Sequence, residues 1–202
     1  TSAASAAANF TNEGGYGGTY RYLKNIMGLW MIQSVRRELG EHAPNGTRPA
    51  FPELIAAAKE ASGYPGLVNA DDDRFLAPNS MIGEITAACA EAGYPAPATT
   101  GEVMQAIYNS LADDYRRAIA ALQSLTGKTY ESVNIVGGGS QDGYLNQMAA
   151  NVTGLPVYAG PTEGTALGNL IVQFIAAGEY ADLQAARDAI KQSFTIQEVL
   201  PQ

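Results

Sequence analysis

Apolar residues along this chain change their spacing twice. Over residues 7–25 two short extended segments, "AANFTNEGG" and "GGTYRYLKN", flank "EGGYGG", whose glycines permit a tight reversal; the pattern predicts a β-hairpin. From residue 26 the spacing becomes helical. Ile26, Leu29, Trp30, Ile32 and Val35 predict a helix over 26–39, with Gly40 as its stop. "FPELIAAAKEASG" predicts a second helix and "YPGLVNADDDRFLAPNS" a long loop rich in turn residues. Ser80 opens a third helix as N-cap, with Glu84 close behind. Residues 99–127 predict a long fourth helix with Val103, Ile107, Leu111, Tyr115, Ala118 and Leu122 along one face.

The pattern then changes again. "SVNIV" reads as a β-branched strand, "GGGS" as a turn, and "QDGYLNQMAANV" as a helix with Leu145, Met148, Ala149 and Val152 on one side. "LPVYAG" reads as a second strand, "PTEGTALGNLIVQFIAAG" as a buried helix, and "DLQAARDAIKQSF" as a more polar one. Strand, helix, strand, helix in that order implies a parallel pair with a crossover helix.

Composition narrows the function classes. A formal net charge of −8 and scattered Lys and Arg argue against nucleic acid or an anionic membrane as partner. No apolar run reaches transmembrane length. A lone Cys89 allows neither an intrachain disulfide nor a cysteine metal cluster, which suits a reducing cytosol. The opening ten residues are small and uncharged.

The candidate chemistry centres on Gly137, Gly138 and Gly139. They stand at the carboxyl end of a predicted strand and open a helix, where ligands bind in α/β sheets and where free N–H groups favour phosphate. A tight strand-to-helix turn explains one or two glycines, and a ligand approaching the backbone explains three. Spacing alone leaves both readings open. The dinucleotide fingerprint is absent, because Asp142 stands at its third glycine, and no Gly-Lys-Ser/Thr of a P-loop follows.

Three stretches, "NFTNEGGYGGTYRYLKNIMGLWMIQ", "NADDDRFLAPNSM" and "NIVGGGSQDGYLNQMAANVTGLPVYAGPTEGTALGNLIVQ", resemble in order the C-terminal domain of the FGGY carbohydrate kinase family, in its rhamnulokinase branch. The resemblance runs over nearly the whole chain. It implies an actin-like, ribonuclease-H-like ATPase domain with a helical insertion over residues 1–202, one half of a two-domain enzyme. It implies ATP with Mg²⁺ held mainly by the nucleotide's phosphates, and phosphoryl transfer to O1 of L-rhamnulose. The N-terminal domain, which carries the catalytic aspartate, the first phosphate loop and most sugar contacts, is expected outside this sequence. No residue here is then the catalytic base, and the chain alone is expected to be inactive.

By the same resemblance Gly138 and Gln33 match ATP-contacting positions, and Gly137, Gly139, Gln141 and Asp142 surround the adenine edge. Asn25 matches a sugar-contacting position, although as an N-cap of the helix over 26–39 it has a structural reading too. The family usually has Asn at the position of Asp142; a carboxylate accepts but does not donate. Two alternatives stay open: a kinase of another ketose such as xylulose or fuculose, and a non-catalytic interaction module that keeps the fold.

Other residues receive plainer readings. Asp71, Asp72 and Asp73 read as a solvated loop with one Asp paired to Arg74 in preference to a metal site. His42 reads as exposed and idle, Cys89 as core, and Glu13, Glu102, Asp113 and Asp114 as surface charges. Trp30, Met27 and Met31 read as core. Glu163 and Thr165 cap a helix or lie near a nucleotide.

Overall fold

A helix of five residues, Ala3–Ala7 (α1), precedes the hairpin of Phe10–Gly14 (β1) and Tyr20–Lys24 (β2) in the computed structural model, which describes residues 2–202. The strands pair antiparallel from Phe10↔Lys24 to Gly14↔Tyr20. The reversal is a 3-10 turn over Tyr16–Gly18 in which Gly17 (φ 67°) and Gly18 (φ 74°) are left-handed, so glycine is required there. Phe10 and Tyr22 stack with ring centroids 4.8 Å apart. This hairpin belongs to one compact unit, completed by Ile119–Gln202; Asn25–Ala118 form a second.

The second unit is helical. Its elements are Trp30–His42 (α2), Phe51–Glu60 (α3), Met81–Glu91 (α4) and the first part of Thr100–Thr126 (α5). Met31, Val35, Phe75, Ile85, Cys89, Ile107 and Leu111 are fully buried in it. Two sequence expectations need correction. The first helix begins at Trp30 and not at residue 26, because Gly28 turns the backbone left-handed at φ 61°. Nor does Gly40 stop it: a Cβ there would lie 2.4 Å from Arg48 Cγ, so Gly40 is a close-packing site inside the helix.

Ser80 caps α4 as expected, its Oγ accepting from Gly83 N at 2.8 Å. Glu38 adds a second hold on the same helix end, taking Ser80 Oγ–H at 2.5 Å and Ile82 N–H at 3.1 Å. Free N–H groups at a helix start favour a carboxylate in this position.

α5 is buried on every side over its first turns, from Val103 to Tyr108, and opens to solvent from Arg116 on, so the single predicted face holds only for its later part. Polar groups of α5 hold the preceding loop. Asn109 Nδ2 donates to Tyr64 O and Gly66 O, both at 3.0 Å. Ser110 Oγ accepts from Val68 N at 2.9 Å and donates to Ala106 O at 2.6 Å. That bonding is why a loop of turn residues carries buried Val68, Ala70 and Phe75.

The chain returns to the first unit with Val133–Ile135 (β3), Gly143–Thr153 (α6), Val157–Ala159 (β4), Gly164–Ala176 (α7), Leu183–Ser193 (α8) and Gln197–Val199 (β5). β3 and β4 run parallel, Val133 opposite Val157, and β5 adds antiparallel to β4. The polar run that forms β5 carries no strand pattern in sequence. Leu145 and Ala149 of α6 are buried, but Val152 is 39% exposed, and Asn146 and Ala150 take the buried places instead.

α7, expected to be a buried helix, has no buried residue; Leu170 is 46% and Phe174 44% exposed. Its apolar sequence signals surface that can pack, and the described residues leave that surface largely open.

Candidate functional site

β3 ends in a turn held by its own backbone. Gly137 is left-handed at φ 78°, and its N–H donates to Pro161 O at 3.0 Å. Gly138 starts a 3-10 turn that runs to Gln141. Ser140 closes it by donating twice to Gly137 O, from N at 3.1 Å and from Oγ at 2.7 Å. Asp142 N donates to Gly139 O at 3.1 Å, and Asp142 Oδ1 accepts from Tyr144 N and Leu145 N, capping α6. An aspartate fills that cap as well as an asparagine does, since the cap needs only an acceptor oxygen.

Gly137 and Gly138 separate by cause. Gly137 is needed for its backbone conformation. Gly138 is not left-handed, and a Cβ on it would meet nothing within 4 Å. Neither backbone strain nor packing inside the chain accounts for glycine there. The N–H groups of Gly138 and Gly139 open the helical turn and meet no acceptor among the described residues. Such a bare, donor-bearing stretch of backbone suits an anionic or polar ligand.

A second loop abuts the first. Gly160 N donates to Ile135 O at 2.8 Å, the Gly160–Pro161 peptide is cis, and Gln141 Nε2 donates to Thr162 Oγ1 at 3.3 Å. A Cβ on Gly164 would lie 3.0 Å from Val136 Cβ, so glycine lets the start of α7 reach the turn. Glu163 occupies the N-cap position of α7 without a side-chain bond, and Thr165 is exposed, so neither side chain caps that helix. A cleft of about 1050 Å³ adjoins Val136 and Pro161, with Arg187 and Lys191 of α8 on its wall.

Gly137, Gly138, Gly139, Gln141 and Asp142 thus stand in one turn of the first unit. Asn25 and Gln33 belong to the helical unit, and both are exposed. Asn25 lies just beyond β2; since α2 begins at Trp30 with Leu29 at its N-cap, Asn25 does not cap it.

The profile of the "FGGY family of carbohydrate kinases, C-terminal domain" matches residues 1–177. The chain belongs to this family. It is 43% identical over 96% of its length to the rhamnulokinase of Ligilactobacillus salivarius, 44% over 93% to that of Halalkalibacterium halodurans, and 41% over 96% to that of Bacillus subtilis. It matches their C-terminal domain and spans about two fifths (39%) of the length of each.

Within this FGGY domain the remaining candidates resolve into local roles. Asp72 caps a short 3-10 turn over Asp73–Phe75 and pairs with Arg74, which also reaches Glu91 at 2.8 Å. His42 is exposed but not idle, since its Nδ1 bonds Glu38 O at 2.8 Å in the last turn of α2. Cys89 is fully buried, and burial pushes its thiol pKa up, with a weaker opposing pull from the Tyr64 side chain. Trp30 is 36% exposed, with its Nε1–H on Phe75 O and the Arg37 guanidinium 5.2 Å from its ring, so it is an edge residue and not core.

Two expected surface charges prove structural. Glu102 Oε2 takes the N–H groups of Ala98 and Thr99 at the start of α5. Asp114 is 4% exposed and pairs with Arg117. Among the described residues no three of His, Cys, Asp and Glu gather closely enough to hold a metal ion, and no helix is long and apolar enough to cross a membrane. Sequence reasoning missed Ser140, Asn146 and Thr162; the serine and asparagine stand in the quoted "GGGSQDGYLNQ", but only the folded turn shows what they bind.

Proposed function

We propose that this domain is the ATP-binding half of an actin-like, two-domain sugar kinase, with the helical unit as an insertion, which transfers the γ-phosphoryl of ATP to O1 of L-rhamnulose. The carrying observation is Gly138, a glycine that nothing among the described residues requires, whose N–H, like that of Gly139, meets no acceptor among them. The residues fit a nucleotide on those grounds. ATP, with Mg²⁺ on its phosphates, supplies the phosphoryl group when bound. The chain's own task is to bind and orient. Gly138 and Gly139 offer N–H donors, Gly137 shapes the turn, and Asp142 fixes its far end through the α6 cap. Gln141 and Gln33 offer amide side chains for the nucleotide, and Asn25 one for the sugar.

The rhamnulokinase relatives support L-rhamnulose over xylulose or fuculose, and the fit at Gly138 favours a working kinase over a binding module that has lost its chemistry. We place the protein in the cytosol, with its general base, first phosphate loop and most sugar contacts in the relatives' other three fifths.

Phosphoryl transfer depends on several positioned parts acting together. This chain alone, given ATP, Mg²⁺ and L-rhamnulose, is therefore expected to show no sugar-dependent ADP release in a coupled assay. Turnover above the no-sugar blank would refute the division of labour. In a protein of the relatives' full length carrying these residues, Asn25→Ala is expected to lower kcat/KM for L-rhamnulose by roughly 1–3 kcal/mol, the cost of an unpaired polar partner. The melting temperature should hold, because Asn25 caps no helix. An unchanged kcat/KM would remove Asn25 from the sugar site.

A further inference from the structure

Asn146 is fully buried on α6, and its Oδ1 has no hydrogen-bond partner among the described residues. Were packing the only demand here, an apolar residue of the same size would serve better, since an unpaired buried oxygen costs stability. The neighbouring buried positions of α6 are Leu145, Ala149 and Ala150. What the amide does have is one directed bond: Nδ2 donates to Ser140 O at 3.0 Å. Ser140 in turn grips Gly137 O with both its N–H and its hydroxyl. A continuous line of bonds therefore runs from the helix through Ser140 to Gly137, spanning the two glycines whose N–H groups meet no acceptor among the described residues.

We propose that Asn146 is a positioning residue of the glycine turn, holding the Gly138 and Gly139 donors in the orientation that receives a nucleotide through its bond to Ser140. This rests on the nucleotide reading given above. Asp142 anchors the end of the turn and Asn146 its middle, so removing either anchor loosens a different part. The partnerless Oδ1 is the cost of having an amide donor at a place otherwise suited to a leucine.

The experiment uses this chain, with ATP and Mg²⁺ titrated while the backbone amides are followed by NMR. Asn146→Leu keeps the size and removes both the unpaired oxygen and the bond to Ser140. Its melting temperature is expected to stay within about 5 °C of the parent, the two effects opposing each other. Its affinity for ATP is expected to fall roughly five- to tenfold, about one hydrogen bond's worth. The Gly138 and Gly139 amide signals should shift or broaden without ligand, while those of α6 beyond its first turn hold.

Asn146→Asp, which faces the Ser140 carbonyl with a carboxylate, should lose at least as much affinity. A lowered melting temperature with unmoved glycine signals and unchanged affinity would overturn the proposal, and so would loss of folding in both variants, which would make Asn146 a scaffold residue. If ATP moves no glycine signal in the parent chain, the nucleotide reading falls; the effect of Asn146→Leu on the ligand-free glycine signals still decides the positioning role.

Discussion

Gly138→Asp is expected to weaken ATP binding by about a hundredfold or more, which is about 2.7 kcal/mol. The substitution adds bulk and a negative charge where the nucleotide approaches bare backbone, and like charges brought together at an interface cost several kcal/mol. The folded chain itself should tolerate it, because the position is not left-handed and a Cβ there meets nothing within 4 Å. Gly138→Ala makes the sharper control, adding one methyl into open space, so that any affinity it loses is lost to the ligand. Calorimetric titration with ATP and Mg²⁺, beside a melting curve for each variant, separates the two effects. Unchanged affinity in Gly138→Asp would remove this turn from the nucleotide site.

The helical unit is expected to fail at a different glycine. A Cβ on Gly101 would stand 2.5 Å from Ala57 O, a backbone atom that cannot swing aside as a side chain can. Gly101 lies buried in the first turn of α5, and its missing side chain is what allows α3 to come so near. Forcing extra atoms into a packed contact costs typically 1–3 kcal/mol, so Gly101→Ala should lower the melting temperature of this unit by on the order of 10 °C. Gly101→Val should lower it further. Gly63→Ala is the matched control, with no neighbour within 4 Å, and should be near neutral. Circular dichroism on heating checks both; equal melting of Gly101→Ala and the parent would mean that α3 shifts freely, against the close contact.

The two glycines show why the site was only partly legible. In sequence, Gly101 passes unnoticed inside a helix pattern, whereas the run 137–139 draws attention as a cluster. The cluster has mixed causes: Gly137 is a conformational requirement, and Gly138 is a vacancy on the chain's own terms. Asp142 was legible as an unusual residue beside the turn, and its cap on α6 became visible only with the helix in place. Asn146 carries no signal of its own in a list of residues, because a buried amide is recognised by what it bonds and what it leaves unbonded.

Local physics set much of the remainder. The hairpin from its glycine turn, the Ser80 cap, the order β3–α6–β4–α7 and the stretches that carry the family resemblance all follow from short-range spacing and composition, which the chain carries wherever it folds. Tertiary structure decided where burial falls. The apolar α7 is open and the polar-looking loop before α4 holds Phe75 at full burial, because burial depends on which surfaces meet and not on how apolar a segment is. It also assigned Glu38, Glu102 and Asn109 to distant or neighbouring backbone groups, since a hydrogen bond needs both partners within about 3 Å, and apart from the local Glu102 cap that proximity is a property of the fold, not of residue order.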